Sequence, residues 1–242
     1  DAQAMIDAAR RNGIPVVAEI YAYTYGATIV SADYLEPENY QKNMGRDFKD
    51  IVNLTNVQPL TKESYEQLIK TAPMTNVTFE NATKKDLYWA LSHPTSIIGS
   101  DAFPAVSKKD GSFAKDWETP YESVNSHPRG AGTHARILKL VREENLMPLM
   151  LAISKMTFMP AEFLQENGVA QMAHKGRIQV GCDADITIFD PATVKDNATP
   201  QSGGIPSTGI PYVVVNGTIV VKDSRVLKGV YPGQPIRAEF VR

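Results

Sequence analysis

The feature that most constrains the fold is a helix followed directly by a continuous apolar run at the start of the chain. Residues 2–12 have the spacing of an amphipathic helix, which Gly13 and Pro15 end. The run PVVAEIYAY (15–23) is rich in β-branched and aromatic residues, as expected of a strand covered on both faces. Helix, short loop and buried strand in this order predict an α/β fold. The side chains expected on the apolar side of the helix are Met5, Ile6, Ala8 and Ala9.

Residues 24–82 follow a less regular pattern, in which only 62–72 has the clear periodicity of a helix. A long excursion between a strand and the next helix of an α/β fold is often a lid or a binding loop. A surface insertion without a function is the alternative, and the sequence leaves both open.

A second buried strand is predicted at 96–103, where a short apolar run ends in Gly-Ser-Asp. A helix precedes this strand, because Thr83 and Asp86 have the spacing of a capping box. A long polar loop follows it and leads to a helix over 133–145.

The residue pattern of the sequence changes from helical to β-rich near residue 173. Beyond it, short β-rich runs alternate with Gly, Pro and Asp, and Asn216-Gly217 between two Val/Ile runs predicts a hairpin. We therefore expect one domain over 1–173, with an insertion or lid at about 24–82, and a small β-rich domain over 174–242.

Charge and cysteine content exclude several classes of function. The 25 basic and 27 acidic residues give a formal net charge of −2, which favours neither nucleic acid nor an anionic membrane as a partner. A single cysteine, Cys182, cannot build an internal disulfide or a cysteine zinc site. The chain has no apolar stretch of membrane-spanning length, and its first residues lack the apolar core of a signal peptide. A cytoplasmic location is expected, and a targeting segment of a longer parent protein would lie outside this sequence.

Asp101 is the first candidate for a functional residue. It follows Ile97-Ile98-Gly99-Ser100, and the carboxyl end of a buried parallel strand is where α/β enzymes hold catalytic groups. The alternative is an aspartate that caps the next turn, which is common.

A second candidate is the segment His127-Pro128-Arg129-Gly130, since arginine can bind a carboxylate through two parallel hydrogen bonds. By itself this motif is equally compatible with a surface loop. His134 and Arg136, on the helix that follows, are interpreted as solvent-exposed or as lying behind a site.

Tyr21 and Tyr23 occupy alternate positions near the end of the first strand, so their side chains should point the same way. Tyrosines in a strand are packing residues more often than ligand contacts. His93 and His174 are isolated, and the sequence contains none of the common histidine motifs of a complete metal site.

Taken together, several segments in order resemble the D-aminoacylase branch of the amidohydrolase superfamily. Each is short, but the combination of Ser-Asp with His-Pro-Arg is specific. The matching segments are AARRNGIPVVAEIYAYTYGAT, SIIGSDAFP, HPRGAGTHARIL, LAISKMTFMPAEFL and GRIQVGCDADITIFDPATV with VVVNGTIVV.

The resemblance implies the C-terminal part of a (β/α)8 barrel together with a small β-sandwich-like domain. It implies Asp101 as the catalytic acid and base and as a possible ligand of a second metal. Arg129, with His127 and Tyr21, would bind the substrate. The cofactor implied is zinc, with its other ligands upstream of residue 1 in a missing N-terminal half of the barrel.

Four positions depart from the pattern of the family and bear on substrate specificity. Glu19 replaces an aspartate, Ala22 a proline and Ala102 a glycine, and Ala27 stands where a small hydroxyl residue is expected.

The expected function is hydrolysis of the C–N amide bond of a small N-acyl-D-amino acid. A dihydroorotase-like or hydantoinase-like hydrolase is the alternative within the superfamily, and a non-catalytic scaffold is the alternative outside it. Residues 1–242 alone should be unstable, because a partial barrel exposes strand edges and apolar surface. Assembly into a homo-oligomer is left open.

Overall fold

The computed structural model describes residues 2–114 and 118–238, and seven α-helices lie within them. The helices are α1 (Ala2–Arg11), α2 (Pro37–Met44), α3 (Lys62–Thr71), α4 (Lys84–Ser92), α5 (Arg129–Glu144), α6 (Leu149–Met156) and α7 (Phe158–Glu166). Helices α1, α3 and α4 begin where the sequence signals indicate, whereas α5, predicted from residue 133, begins four positions earlier at Arg129.

The β-strands of the described residues form two sheets of four strands and two pairs. The strands are β1 (Glu19–Ile20), β2 (Tyr25–Ile29), β3 (Ile51–Asn53), β4 (Gln58–Pro59), β5 (Asn76–Glu80), β6 (Ile97–Ile98), β7 (Val106–Ser107), β8 (Val124–Asn125), β9 (Ile186–Ile188), β10 (Tyr212–Val215), β11 (Thr218–Lys222) and β12 (Arg225–Val226).

Strands β1 and β6 are parallel, which agrees with the predicted α/β character. Glu19 pairs with Ile97, and Ile20 pairs with Ile98. The strand expected over 15–23 is limited to two residues, and Glu19 within it is exposed. Met5 of α1 is also 73% exposed rather than packed. Ile97 and Ile98 of β6 are buried, whereas Ile20 of β1 is only half-buried, so the predicted burial is complete for β6 alone. In the described residues, the pair has no further strand beside it.

A buried cluster packs α4, α5 and α6 around the end of this strand pair. Lys155 of α6 is fully buried beside it, and its ammonium donates hydrogen bonds to the carbonyl of Ser96 (2.7 Å), the hydroxyl of Ser96 (2.9 Å) and the carbonyl of His93. Burial lowers the pKa of Lys155 to about 8. The cluster consists of Ala22, Tyr23, Leu87, Leu91, Ile98, Ile137, Met147 and Ala152.

Residues 24–82 are more regular than the sequence pattern indicated. They form an antiparallel sheet in the order β2-β5-β3-β4, with α2 and α3 packed on it. The alternation of a strand is hard to see in strands as short as β3 and β4. The insertion has its own core, formed by Val30, Leu35, Tyr40, Ile51, Leu60, Tyr65, Val77 and Phe79.

The predicted hairpin at Asn216-Gly217 joins β10 and β11, and both turn residues have positive φ (47° and 75°). The sheet has the order β12-β11-β10-β9. Residues 190–209, between β9 and β10, leave this sheet and pack against α5, where Val194 is buried with Ala135 and Leu138. In the described part of the chain, no helix has the length and apolarity of a membrane span.

Candidate functional site

Asp101 lies just beyond the carboxyl end of β6, as the sequence predicted. Its backbone is left-handed (φ 46°), a conformation that aspartate and asparagine adopt more readily than most residues. Its side chain is 63% exposed. The parallel strand β1 ends at the same edge and leads into Tyr21, so the two strands bring these side chains to one place.

Arg129 is buried and forms an ion pair with Asp101. Its Nη2 lies 2.9 Å from Oδ2 of Asp101, and its side chain is only 5% exposed. The guanidinium also stacks on the ring of Tyr21, 4.6 Å from the ring centre. The Nε of Arg129 is buried without a hydrogen-bond partner. Arg129 thus lies in direct contact with two other predicted site residues, Asp101 and Tyr21.

His127, the fourth, supports Arg129 from behind. The backbone N–H of Arg129 donates to Nδ1 of His127 (2.9 Å), so the ring proton must sit on Nε2, which donates to the carbonyl of Tyr25 (2.7 Å). Burial lowers the pKa of His127 to about 3, so the ring is neutral. Neither ring nitrogen is free to bind a substrate in this arrangement, in contrast to the role expected from the sequence.

Lowering the pH below 6.5 is expected to destabilise the folded protein through His127. The pKa is 6.5 for an ordinary histidine and about 3 here, so between these values the unfolded chain binds a proton that the folded chain excludes. The free energy of unfolding therefore falls as the pH falls through this window. His127→Gln, which keeps a donor and an acceptor, should flatten the dependence in denaturant titrations at several pH values. Equal slopes in variant and wild type would contradict this role.

Tyr21 and Tyr23 both face the ring of His127, at centroid distances of 5.9 and 5.5 Å, as their alternation predicted. The hydroxyl of Tyr21 accepts a hydrogen bond from Asn81 (3.1 Å). The hydroxyl of Tyr23 donates to Asp196 (3.2 Å), and burial raises the pKa of Tyr23, which keeps it protonated. The two tyrosines therefore form one wall around the histidine.

Arg136 is half-buried rather than free in solvent, because it pairs with a buried carboxylate, which agrees with the interpretation that it lies behind a site. Its Nη1 is 3.2 Å from Oδ2 of Asp196, and its guanidinium stacks on the ring of Tyr23 at 4.7 Å. Asp196 stands in the polar segment KDNATP, which contains no recognisable motif, so sequence reasoning did not select it.

Asn125 is a second residue that the sequence did not indicate. It is fully buried, and its side-chain amide donates to the carbonyls of Leu54 (3.2 Å) and Pro200 (3.1 Å) while its oxygen accepts from the N–H of Gly203 (2.9 Å). Asn125 thereby joins the insertion, the loop before Arg129 and the segment after β9.

The described residues do not form a metal site by themselves. Within 2–114 and 118–238, no group of three or more His, Cys, Asp or Glu side chains is placed to hold a metal ion. His93 instead lies 3.6 Å from Asp7 and contacts Thr95, away from the Asp101 edge. Asp101 is the only predicted metal ligand in this chain.

Comparison with known proteins gives relatives of one kind. The N-acyl-D-glutamate deacylase of Alcaligenes xylosoxydans xylosoxydans is 30% identical over 232 residues, which cover 90% of this chain and 41% of that protein. The D-aminoacylase of the same organism is 27% identical over 217 residues, covering 85% and 38%.

A solved structure shares the fold. The N-acyl-D-glutamate deacylase from Bordetella bronchiseptica, complexed with zinc and a phosphonate inhibitor, superposes with a TM-score of 0.73 at 27% identity. The match covers 98% of this chain and 45% of that one, so the chain spans less than half the length of the relatives it matches. The model of the Amidohydrolase family matches residues 2–221, and this chain therefore belongs to the amidohydrolase family.

Proposed function

We propose that the complete protein removes the acyl group from N-acyl-D-amino acids by hydrolysing their C–N amide bond. The observation that carries this proposal is the pair of Asp101 and Arg129, an exposed carboxylate and a buried guanidinium joined at the carboxyl edge of parallel strands. The names of the relatives, which are deacylases of N-acyl-D-amino acids, support the same chemistry.

Asp101 is proposed to move the protons of the reaction. Its carboxylate accepts a proton from the attacking water, whose oxygen bonds to the amide carbon. As the C–N bond breaks, Asp101 delivers that proton to the departing nitrogen, so the products are a carboxylic acid and an amine, which become a carboxylate and an ammonium ion once the acid gives its proton to the amine. The exposure of Asp101 supports this role, because the carboxylate is accessible to a substrate and to water.

Arg129 is proposed to bind the carboxylate of the substrate. It already binds a carboxylate, that of Asp101, and its unpaired Nε leaves a donor that a bidentate ligand would satisfy. A substrate carboxylate that takes the place of Asp101 on Arg129 would release Asp101 for proton transfer. Stacking on Tyr21 fixes the plane of the guanidinium for this exchange.

The strands β1 and β6 are proposed to belong to a (β/α)8 barrel that an upstream half of the protein completes. In the described residues, neither strand has a second neighbour in its sheet. Apolar surface also calls for a covering partner, since Ile178 is 91% and Val180 101% exposed. Ile178 also lines a cavity of about 680 Å³ between α5, α6 and β9.

Zinc is proposed as the cofactor of the complete protein. Because the described residues do not build a metal site, its ligands would come from outside them, with Asp101 as the one candidate in this chain. The support is the zinc in the related deacylase structure.

The test of the proposed function is an assay of the complete protein together with its zinc content. We expect near-stoichiometric zinc and turnover of N-acyl-D-amino acids, with little turnover of their L enantiomers. Turnover of cyclic amides alone would point to a dihydroorotase-like or hydantoinase-like enzyme instead. A protein that holds no metal and cleaves none of these substrates would reject the hydrolase proposal in favour of a scaffold.

A further inference from the structure

The site contains two sets of three residues in which an arginine pairs with an aspartate and stacks on a tyrosine. In the outer contact, Arg129 stacks on Tyr21 (4.6 Å) and pairs with Asp101 (2.9 Å). We call these three residues the outer triad. Its carboxylate is exposed, so it can exchange partners.

The inner triad consists of Asp196, Arg136 and Tyr23. Arg136 stacks on Tyr23 (4.7 Å) and pairs with Asp196 (3.2 Å). The side chain of Asp196 is only 5% exposed, and its Oδ1 has Lys139 at 3.9 Å as a second cation. Oδ2 of Asp196 accepts from both Tyr23 and Arg136, while Oδ1 and the Nε of Arg136 are buried without a hydrogen-bond partner among the described residues. Asp196 therefore holds Tyr23 and Arg136 together through a single oxygen.

The two triads share their supporting elements. Both arginines belong to α5, seven positions apart, and therefore lie on nearly the same side of the helix. Both tyrosines belong to the segment that follows β1, at alternate positions. Asp196 bonds to Tyr23 and to Arg136, and so connects the two elements that carry Tyr21 and Arg129.

The spacing between these elements leaves no room for adjustment. A Cβ at Gly132 of α5 would lie 2.2 Å from the hydroxyl of Tyr23 and 3.0 Å from the Cβ of Asp196. Only glycine permits α5 to approach Tyr23 and Asp196 this closely, so these contacts set the distance between α5 and the segment that carries Tyr21.

The segment that carries Asp196 is anchored independently of its carboxylate. Ser207 donates to the carbonyl of Ala131 (2.7 Å), and the N–H of Gly203 donates to Asn125 (2.9 Å). Removing the charge of Asp196 should therefore leave the path of residues 190–209 in place.

We propose that Asp196 is a positioning residue for the substrate-carboxylate site at Arg129, acting through Arg136 and Tyr23. The inference rests on the proposed function, because it assumes that Arg129 binds the carboxylate of the substrate. It assigns a role at the site to a segment that the sequence placed in a separate β-rich domain.

The test compares Asp196→Asn with wild type in the complete, zinc-loaded protein. With an N-acyl-D-amino acid as substrate, KM is expected to rise about tenfold with kcat nearly unchanged, because binding of the carboxylate is weakened. With an N-acyl amine that lacks the carboxylate, KM should not change. Tyr23→Phe, which removes only a hydroxyl, should shift KM in the same direction and serves if Asp196→Asn fails to fold.

The matched control is Tyr212→Phe, which also removes a tyrosine hydroxyl that donates to an aspartate. Tyr212 donates to Asp223 (2.8 Å) in an exposed position. It should leave KM unaltered for both substrates. A purely structural Asp196 would lower the melting temperature or kcat without separating the two substrates, and that outcome overturns the inference alone. Wild-type protein that neither binds nor cleaves N-acyl-D-amino acids would overturn the proposed function and the inference with it.

Discussion

Asp101→Asn in the complete protein is expected to lower kcat by about a thousandfold, the scale of a lost general acid and base, with KM nearly unchanged. Asparagine has the same shape but cannot accept the proton of the attacking water. It also tolerates the left-handed backbone of this position (φ 46°), so the fold around β6 should be kept. Steady-state kinetics with an N-acyl-D-amino acid would measure the effect.

The matched control for Asp101→Asn is Asp110→Asn. Asp110 is an exposed aspartate in the loop that follows, where it accepts hydrogen bonds from Ser112 (2.7 and 3.1 Å). Its replacement should leave kcat and KM as they are. Turnover by Asp101→Asn close to that of wild type would exclude Asp101 as the proton carrier, whatever the fate of the amide-hydrolase proposal.

The elements that the sequence predicted well are those whose signals are local. The hairpin at Asn216-Gly217 needs only two adjacent residues with positive φ, and the helix α3 needs only its periodicity. The order of helix and apolar run predicted the α/β character to which the parallel pair of β1 and β6 belongs. The position of Asp101 at the strand end was predicted on the same grounds.

The features that the sequence did not predict depend on contacts between distant segments. The sheet in the insertion pairs β2 with β5 and β5 with β3, and the short β3 carries no pattern of its own. Asp196 is one acidic residue among many until the fold brings it to Arg136 and Tyr23. The neutral state of His127 likewise depends on burial and on the N–H of Arg129, which no spacing of residues reveals.

Arg129→Ala should raise KM for N-acyl-D-amino acids by about a hundredfold, the effect expected when a hydrogen-bonded buried charge is removed from a bound carboxylate. The guanidinium of Arg129 is held in place by the ring of Tyr21, and the backbone N–H of Arg129 is held by His127. The side chain is therefore already oriented before the substrate binds, and binding loses little conformational entropy. Arg129→Lys keeps the charge but loses the planar fork and the stacking. Its KM is expected to lie between those of wild type and Arg129→Ala.

The choice of substrate separates a carboxylate-binding role of Arg129 from a purely structural one. An N-acyl amine without a carboxylate should be cleaved by Arg129→Ala at least as well as by wild type, because Arg129 would have nothing to bind in that substrate. Asp101, freed from its ion pair, would remain available for proton transfer. An equal loss with both substrates would mean that Arg129 acts by holding α5 and Asp101 in place. The carboxylate of the substrate would then be bound by residues other than Arg129.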